Sequence, residues 1–279
     1  MTSPVPRSSQ DVNNLLEAMT AQYGYDFSGY APASLNRRIH RHMQSFNIES
    51  VENLKQIILK DEQAFADLLR SLSVPVTEMF RDPPFFKYLR EQVLPWLATF
   101  PFIKIWHAGC ATGEEAWSMA IMLHKAGLLS RSQIYATDYN EEALTTARRG
   151  IYDSPLLDTW QRNFKESGGE GDLSDYCFQR YGSLRMDRTL QQHITFANHN
   201  LVTDHAFGEM NLVLCRNVLI YFSRDLQNRV LDLFKESILP GGLLCLGPRE
   251  TMRFSSVADS FEPVEHEWKI YRLKQGFQL

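Results

Sequence analysis

The chain has 279 residues, 44% of them hydrophobic and 22% charged, with a net charge of −4. That length accommodates one large domain or two modest ones, and the acidic balance argues against bulk nucleic-acid binding. No apolar run approaches the roughly 18 residues of a membrane span, and Met1-Thr2-Ser3-Pro4-Val5-Pro6 is a polar tail, not a signal peptide. The four cysteines, Cys110, Cys177, Cys215 and Cys245, form no C-x-x-C pair, which predicts reduced thiols, a cytoplasmic location and no structural zinc.

Residues 1–9 read as a flexible tail and residues 10–74 as a small helical domain. Val12, Leu15, Leu16 and Met19 follow helical spacing until Gly24 and Pro32 interrupt. Ser34 is the expected N-cap of a second helix with an inward stripe of Leu35, Ile39, Met43 and Phe46. Its outer face gathers Arg37, Arg38 and Arg41, with His40 and His42 nearby, and such a face suits an anionic surface or plain solvent. Ser50 caps a third helix over Val51, Leu54, Ile57 and Ile58; Phe65, Leu68, Leu69 and Leu72 mark a fourth. Residues 75–90 then read as a linker and connecting helix, with Pro83 and Pro84 ahead of Phe85, Phe86, Tyr88 and Leu89.

The stretch from Ile103 to Glu115 organises the rest of the chain: an alternating run, the turn Ala108-Gly109-Cys110-Ala111-Thr112-Gly113, and a helix opening with Glu114 and Glu115. Glycines let backbone approach a ligand, and an α/β sheet binds ligands beyond the carboxyl ends of its strands. The usual tenant is a pyrophosphate at the helix N-terminus. Two carboxylates would repel it, and no G-K-[ST] comes after them. A nucleoside bearing positive charge suits the loop better, and S-adenosylmethionine has a sulfonium, an ammonium and no phosphate. The alternative is a tight turn with a solvated acidic helix start, which the helix dipole favours.

Ala116 to Leu123 is apolar on most sides, as in a helix buried on a sheet. Ile134 to Asp138 is a second strand ending in an acid, 25 positions beyond Gly113. That is close to the offset of about 20 at which an acid takes ribose hydroxyls; the alternative for Asp138 is a helix N-cap. Residues of about 152–193 break the rhythm and read as an insertion: a helix, a loop at Gly168-Gly169-Glu170-Gly171 and a small antiparallel patch. The sheet resumes at Ile194-Thr195-Phe196 and Asn211 to Cys215, ending in Arg216-Asn217-Val218-Leu219-Ile220-Tyr221-Phe222. A helix from about Asp225 to Ile238, a strand at Leu243 to Gly247 and an antiparallel closing strand at Trp268 to Leu273 complete an α/β doubly wound domain over 91–279.

Taken in order, Val76-Thr77-Glu78-Met79-Phe80-Arg81-Asp82, Ala108 to Glu115, Ala136-Thr137-Asp138, Ala147-Arg148-Arg149-Gly150-Ile151-Tyr152, Asn200-Leu201 and Cys215 to Phe222 resemble the CheR family of chemotaxis-receptor glutamate methyltransferases. The resemblance implies a helical N-terminal domain, a Rossmann-like S-adenosylmethionine-dependent methyltransferase domain and an inserted β-subdomain. It implies that Ala108, Gly109, Gly113 and Glu115 hold the methionine end of the cofactor, and that Asp138 takes the ribose. Asn200, Leu201, Arg216 and Asn217 would line the adenosine side, with Thr77 and Arg81 contributing from the linker. Arg81 and Tyr221 would stand beside the transferred methyl, and Arg37, Arg38 and Arg41 would meet the receptor's methylation region. The implied partners are the cytoplasmic helical bundle of a chemoreceptor and a receptor C-terminal tail, with no nucleic acid and no membrane insertion, for a monomeric enzyme.

The chain departs from the family at three places. Pro75 replaces a frequent asparagine, Ala116-Trp117 a frequent Pro-Tyr, and Gly247-Pro248-Arg249-Glu250 a common Gly-His-Ser-Glu. Three other readings stay open: a cofactor-binding regulator that docks to a signalling array without turnover, a methyltransferase acting on a different signalling protein, and a small-molecule carboxyl methyltransferase, in which the basic helix would have no purpose.

Overall fold

In a computed structural model, which describes residues 9–25, 27, 32–72, 77–206 and 208–275, the chain divides into two units. One comprises Met1–Val74 and Leu219–Gln227, the other Pro75–Val218 and Asn228–Leu279.

The first unit is built from α1 (Ser9–Tyr23), α2 (Pro32–Ser45), α3 (Val51–Ile58) and α4 (Glu62–Leu72). Each buries one stripe: Leu15 and Met19, Leu35 and Ile39, Leu54 and Ile58, Leu68 and Leu72 are almost fully buried. Ser50 caps α3 as expected, accepting from the Asn53 N–H at 3.1 Å. For α2 the expectation fails. The Ser34 side chain lies outside the described residues, as do Pro75, Val76 and the tail at 1–8, and the helix starts at Pro32. Proline is suited to a helix start because its missing N–H has no partner there. The inward stripe also shifts: Phe46 is 53% exposed, whereas His42, expected outside, is 3% exposed. His42 Nδ1 meets Ser71 Oγ at 2.8 Å and its ring stacks on Phe46, so a satisfied imidazole takes the core position. The returning segment joins this unit through a bridge between Tyr25 and Phe222, and the Ser223 N–H donates to the Gly24 carbonyl at 3.1 Å.

The second unit opens with α5 (Pro83–Tyr88), a π-helical turn at Leu89–Val93 and α6 (Leu94–Leu97). The π turn lies just ahead of Pro95, whose ring cannot pack against the carbonyl four residues back. Then come β1 (Ile103–Ala108), α7 (Glu114–Lys125), β2 (Ser132–Asp138), α8 (Glu141–Arg149), β3 (Ile151–Asp153), α9 (Leu156–Glu166), β4 (Cys177–Arg180) and β5 (Ser183–Met186). The chain ends with α10 (Arg188–Gln191), β6 (Ile194–Asn198), β7 (Met210–Cys215), α11 (Arg224–Ser237, whose first turn belongs to the helical unit), β8 (Ile238–Leu246), β9 (Phe261–Glu265) and β10 (Ile270–Leu273).

Seven strands form one sheet in the order β6-β2-β1-β7-β8-β10-β9. The pairs from β6 to β8 are parallel, and β10 is antiparallel to β8 and β9. In register, Ile105 of β1 faces Ile134 of β2 and Leu212 of β7. All six residues of β7 are buried, as expected of a parallel strand covered on both faces. Every residue of α7 from Ala116 to Leu123 is buried too, so its all-round apolar sequence is a core helix. β3, β5 and β4 make the separate antiparallel sheet of the insertion. β9 had no sequence expectation: Pro263 disguises it, and proline is tolerated because β9 is an edge strand. All four cysteines are buried free thiols.

The doubly wound order fixes the site. β1 pairs with β2 on one side and β7 on the other, so the strand order reverses at β1 and a crevice opens beyond the carboxyl ends of β1 and β7.

Candidate active site

The loop after β1 is held by its neighbours. The N–H groups of Gly109 and Cys110 both donate to the Thr137 carbonyl at 2.8 Å. Ala111, at φ 48°, donates its N–H to Asp138 Oδ2 at 2.8 Å, and the Asn140 N–H donates to Asp138 Oδ1 at 2.9 Å. Asp138 is therefore not the helix cap; Asn140 is, accepting from the N–H groups of Glu142 and Ala143. Burial pushes the Asp138 carboxyl above its ordinary value, opposed by the backbone donors of Asn140, Ala111 and Tyr139. A carboxylate oxygen has more than one lone pair, so Asp138 keeps acceptor capacity for hydroxyls.

Two glycines make the loop possible. Gly109 has φ 77°, and a Cβ there would lie 2.5 Å from Val218 Cγ2. Gly113 has φ 92°, and a Cβ would lie 2.8 Å from Ala147 Cβ.

The acidic pair is not a solvated helix start. Glu114 is 4% exposed and accepts from Thr112 Oγ1 and from the Thr77 hydroxyl. Burial raises its carboxyl to about 7 against those donors. Glu115 accepts from His107 Nδ1 at 2.9 Å and from the Arg216 guanidinium at 3.0 Å. Burial alone would raise this carboxyl too, but His107 and Arg216 overcome it and hold it at about 2. Adjacent residues of one helix turn thus carry an acid that titrates at about 7 and a firm carboxylate.

Arg216 joins this cluster to the linker. It stacks 3.9 Å from the Phe85 ring centroid and pairs with Asp82 as well as Glu115. Between Phe80 and Asp82, both in the left-handed region at φ 54° and 58°, sits half-buried Arg81. Two such residues flanking one side chain store backbone strain, which persists only where the surroundings over-determine it. Here they do: Ser118 Oγ accepts the Phe80 N–H at 2.9 Å, Asn163 Nδ2 donates to the Met79 carbonyl at 3.1 Å, and Arg216 grips Asp82.

After β7, Asn217 takes φ 62°, and one buried carboxylate gathers the neighbouring loops. Glu250 accepts the N–H groups of Asn217 at 3.1 Å, Val218 at 2.8 Å and Gly247 at 2.5 Å. Asn200, just past β6, closes its own turn by accepting the Val202 N–H at 2.9 Å, and Leu201 beside it is buried.

One unit therefore holds Thr77, Arg81, Ala108, Gly109, Gly113, Glu115, Asp138, Asn200, Leu201, Arg216 and Asn217. Tyr221, half-buried in the turn Leu219–Tyr221, belongs to the helical unit, as do Arg37, Arg38 and Arg41. Arg37 and Arg41 are exposed, while Arg38 turns partly inward to donate to the Leu72 carbonyl at 3.3 Å. The sequence alone does not single out His107, Ser118, Asn163 or the role of Glu250. Glu250 is visible inside Gly247-Pro248-Arg249-Glu250, but Asn163 lies 84 positions from the carbonyl it holds and carries no signal.

The donor set fits a ligand of mixed charge. Buried His107 Nε2 and Arg216 Nε lack a protein partner, so hydrogen-bonding capacity remains beside an otherwise acidic loop. No group of side chains suited to a metal ion occurs among the described residues. The fold and this site define a Rossmann-like protein that takes a nucleoside cofactor without phosphate. Residues 75–270 match the family model described as CheR methyltransferase, SAM binding domain, and residues 10–73 match its all-alpha domain. The chain belongs to the CheR methyltransferase family; it is an S-adenosylmethionine-dependent methyltransferase and S-adenosylmethionine is its cofactor. It is 45% identical to a Pseudomonas putida protein provisionally named methyltransferase Cher3, over 94% of this chain and 96% of that one. It is 28% identical to chemotaxis protein methyltransferase 1 of Vibrio cholerae, covering 96% and 98% of the two chains. It is also 28% identical to the Pseudomonas aeruginosa protein of that name, covering 86% and 89%.

Proposed function

We propose that this enzyme methylates glutamate side chains in the cytoplasmic helical bundle of a chemoreceptor, giving glutamate methyl esters. The observation that carries the reading is the Arg81 turn: a cation held on a strained, over-determined backbone beside the buried Glu115–Arg216 cluster. The names of the Vibrio and Pseudomonas aeruginosa relatives, chemotaxis protein methyltransferases, support it.

When bound, S-adenosylmethionine supplies an electrophilic methyl on cationic sulfur and leaves as S-adenosylhomocysteine. Ala108, Gly109, Gly113 and Glu115 would hold its amino-acid end, and Asp138 its ribose hydroxyls. Asn200, Leu201, Arg216 and Asn217 would line the nucleoside, with Thr77 and Arg81 at the linker side. A glutamate of ordinary pKa is carboxylate in roughly 500 of every 501 molecules at pH 7, so the nucleophile needs no general base. Arg81 would orient that carboxylate by paired hydrogen bonds, with Tyr221 as a second proposed hydrogen-bond donor to the substrate. What these residues supply is alignment and exclusion of water.

The domain plan that accompanies this function is a helical domain at 10–74, a linker at 75–90 and a methyltransferase domain at 91–279. Arg37, Arg38 and Arg41 would meet the acidic receptor bundle, and the outer edge of β4 would take a receptor tail as an added strand. The test is transfer of labelled methyl from S-adenosylmethionine to receptor signalling fragments from the host. Base-labile label, reduced sharply in Tyr221→Phe, is the expected result; transfer that resists base, or none with cofactor binding intact, would overturn the reading.

A further inference from the structure

The second unit contains a cavity of about 410 Å³ that the methyl-transfer machinery does not use. Arg90 and Lys125 line it, with Leu94, Met122 and Leu128 among its apolar walls and Glu170 at its side. It lies at the far end of α7 from the cofactor loop: Glu114 starts the helix and Lys125 ends it, about 16 Å along the axis.

The cleft is open to solvent, and half-buried Arg90 lines it. Arg90 sits in the π-helical turn Leu89–Val93, an insertion that redirects side chains and recurs at functional sites. Its Nε donates to the carbonyl of fully buried Ser167 at 3.2 Å, which fixes the plane of the group. Its Nη2 is buried and has no hydrogen-bond partner in the protein. Gly168, at φ 77°, brings the loop past the guanidinium: a Cβ there would sit 3.8 Å from Arg90 Nε. At Gly169 there is no room for a side chain, because a Cβ would lie 2.4 Å from the Phe164 ring. The carbonyls ending α7 are not competing acceptors, since Ala126, Gly127 and Leu128 cap those of Met122, His124 and Leu123.

Two cationic residues line the space against one lining carboxylate, Glu91 also acts on Arg90, and Lys125 Nζ lies 6.0 Å from the Phe164 ring centroid. Burial lowers the Arg90 pKa, opposed by Glu170, Glu91 and Tyr176. A half-buried guanidinium fixed by the Ser167 carbonyl, beside the Lys125 ammonium, recognises a carboxylate or phosphate oxygen, and the apolar walls favour a body that is not itself hydrated.

We propose that this cavity binds a small organic anion, a phosphate ester or carboxylate with a compact apolar body, anchored on Arg90 and Lys125. The test is an NMR titration of the isotope-labelled full chain with S-adenosylhomocysteine present, using phenyl phosphate, inorganic phosphate and benzyl alcohol as probes. Phenyl phosphate is expected to shift the amides of Met122–Leu128 and Gly168–Glu170 saturably and to bind about tenfold more tightly than either other probe. Arg90→Gln should weaken it about tenfold, and Lys125→Gln, at an exposed position that leaves the fold intact, about threefold. Affinity for S-adenosylhomocysteine should not change in Lys125→Gln. No saturable shift, equal binding of all three probes, or an unaltered phenyl phosphate titration in Lys125→Gln would overturn the proposal, including where Arg90→Gln does not fold.

Discussion

Arg81 is assigned a task that constrains its own strength. A guanidinium that gripped the ground-state carboxylate too firmly would slow transfer, so its contribution must lie in alignment. Arg81→Ala should therefore lower kcat by on the order of a hundredfold while changing S-adenosylhomocysteine affinity less than about threefold. Calorimetry showing mainly lost cofactor binding would contradict this. Gly109 makes a prediction about the loop itself. Gly109→Ala meets Val218 Cγ2 and also keeps φ 77°, so it should destabilise by on the order of 2–4 kcal/mol. Adding Val218→Ala should recover the steric part and leave about 1 kcal/mol of backbone strain, read as a double-mutant cycle in denaturant. At this scale the sequence disclosed Gly109, Gly113 and Glu115, because their spacing is itself the motif. His107 stands inside the same stretch without a signal of its own, since its pairing with Glu115 spans a strand and a helix. Ser118 and Asn163 were illegible because each acts on a backbone group distant in the chain.

The first turn of α7 has a pH signature of its own. Glu114 has its carboxyl raised from 4.5 to about 7, so it adds no penalty below pH 4.5 and destabilises progressively as pH rises to about 7. Glu115 is the reverse: held at about 2, it stabilises above pH 4.5, and that contribution disappears as pH falls toward 2. Glu114→Gln should thus raise the stability at pH 8 by up to about 3 kcal/mol and flatten the profile between pH 4.5 and 7. Glu115→Gln should cost about 3–5 kcal/mol at pH 7 because Arg216 loses half of its buried neutralisation. Thermal melts across pH 4 to 8 compare the two; equal and parallel profiles would contradict the assignment. Elements were more legible than residues. β1, α7, β2 and β7 declare themselves through periodicity and continuous apolar runs. β9 did not, because Pro263 is a strand signal only once its edge position is known, and the π turn ahead of Pro95 reads locally as ordinary helix.

For the molecule as a whole, the sequence disclosed both the helical unit and the doubly wound sheet, since alternating strand and helix patterns prescribe a parallel sheet with a crevice at its reversal point. No described helix is long and apolar enough to cross a membrane. The proposed receptor contact would be electrostatic, through the exposed Arg37 and Arg41. Arg37→Glu with Arg41→Glu should raise KM for a receptor fragment about tenfold, remove most of its salt dependence and leave cofactor affinity unchanged. Whether a glutamate carboxylate is the methyl acceptor is tested most directly by mass spectrometric mapping of a receptor fragment after reaction, beside the same fragment with its candidate glutamates replaced by glutamine. The expected result is a methyl ester on glutamate that base removes, and no modification of the glutamine form. A base-stable methyl group on another residue type, or equal modification of both fragments, would contradict it.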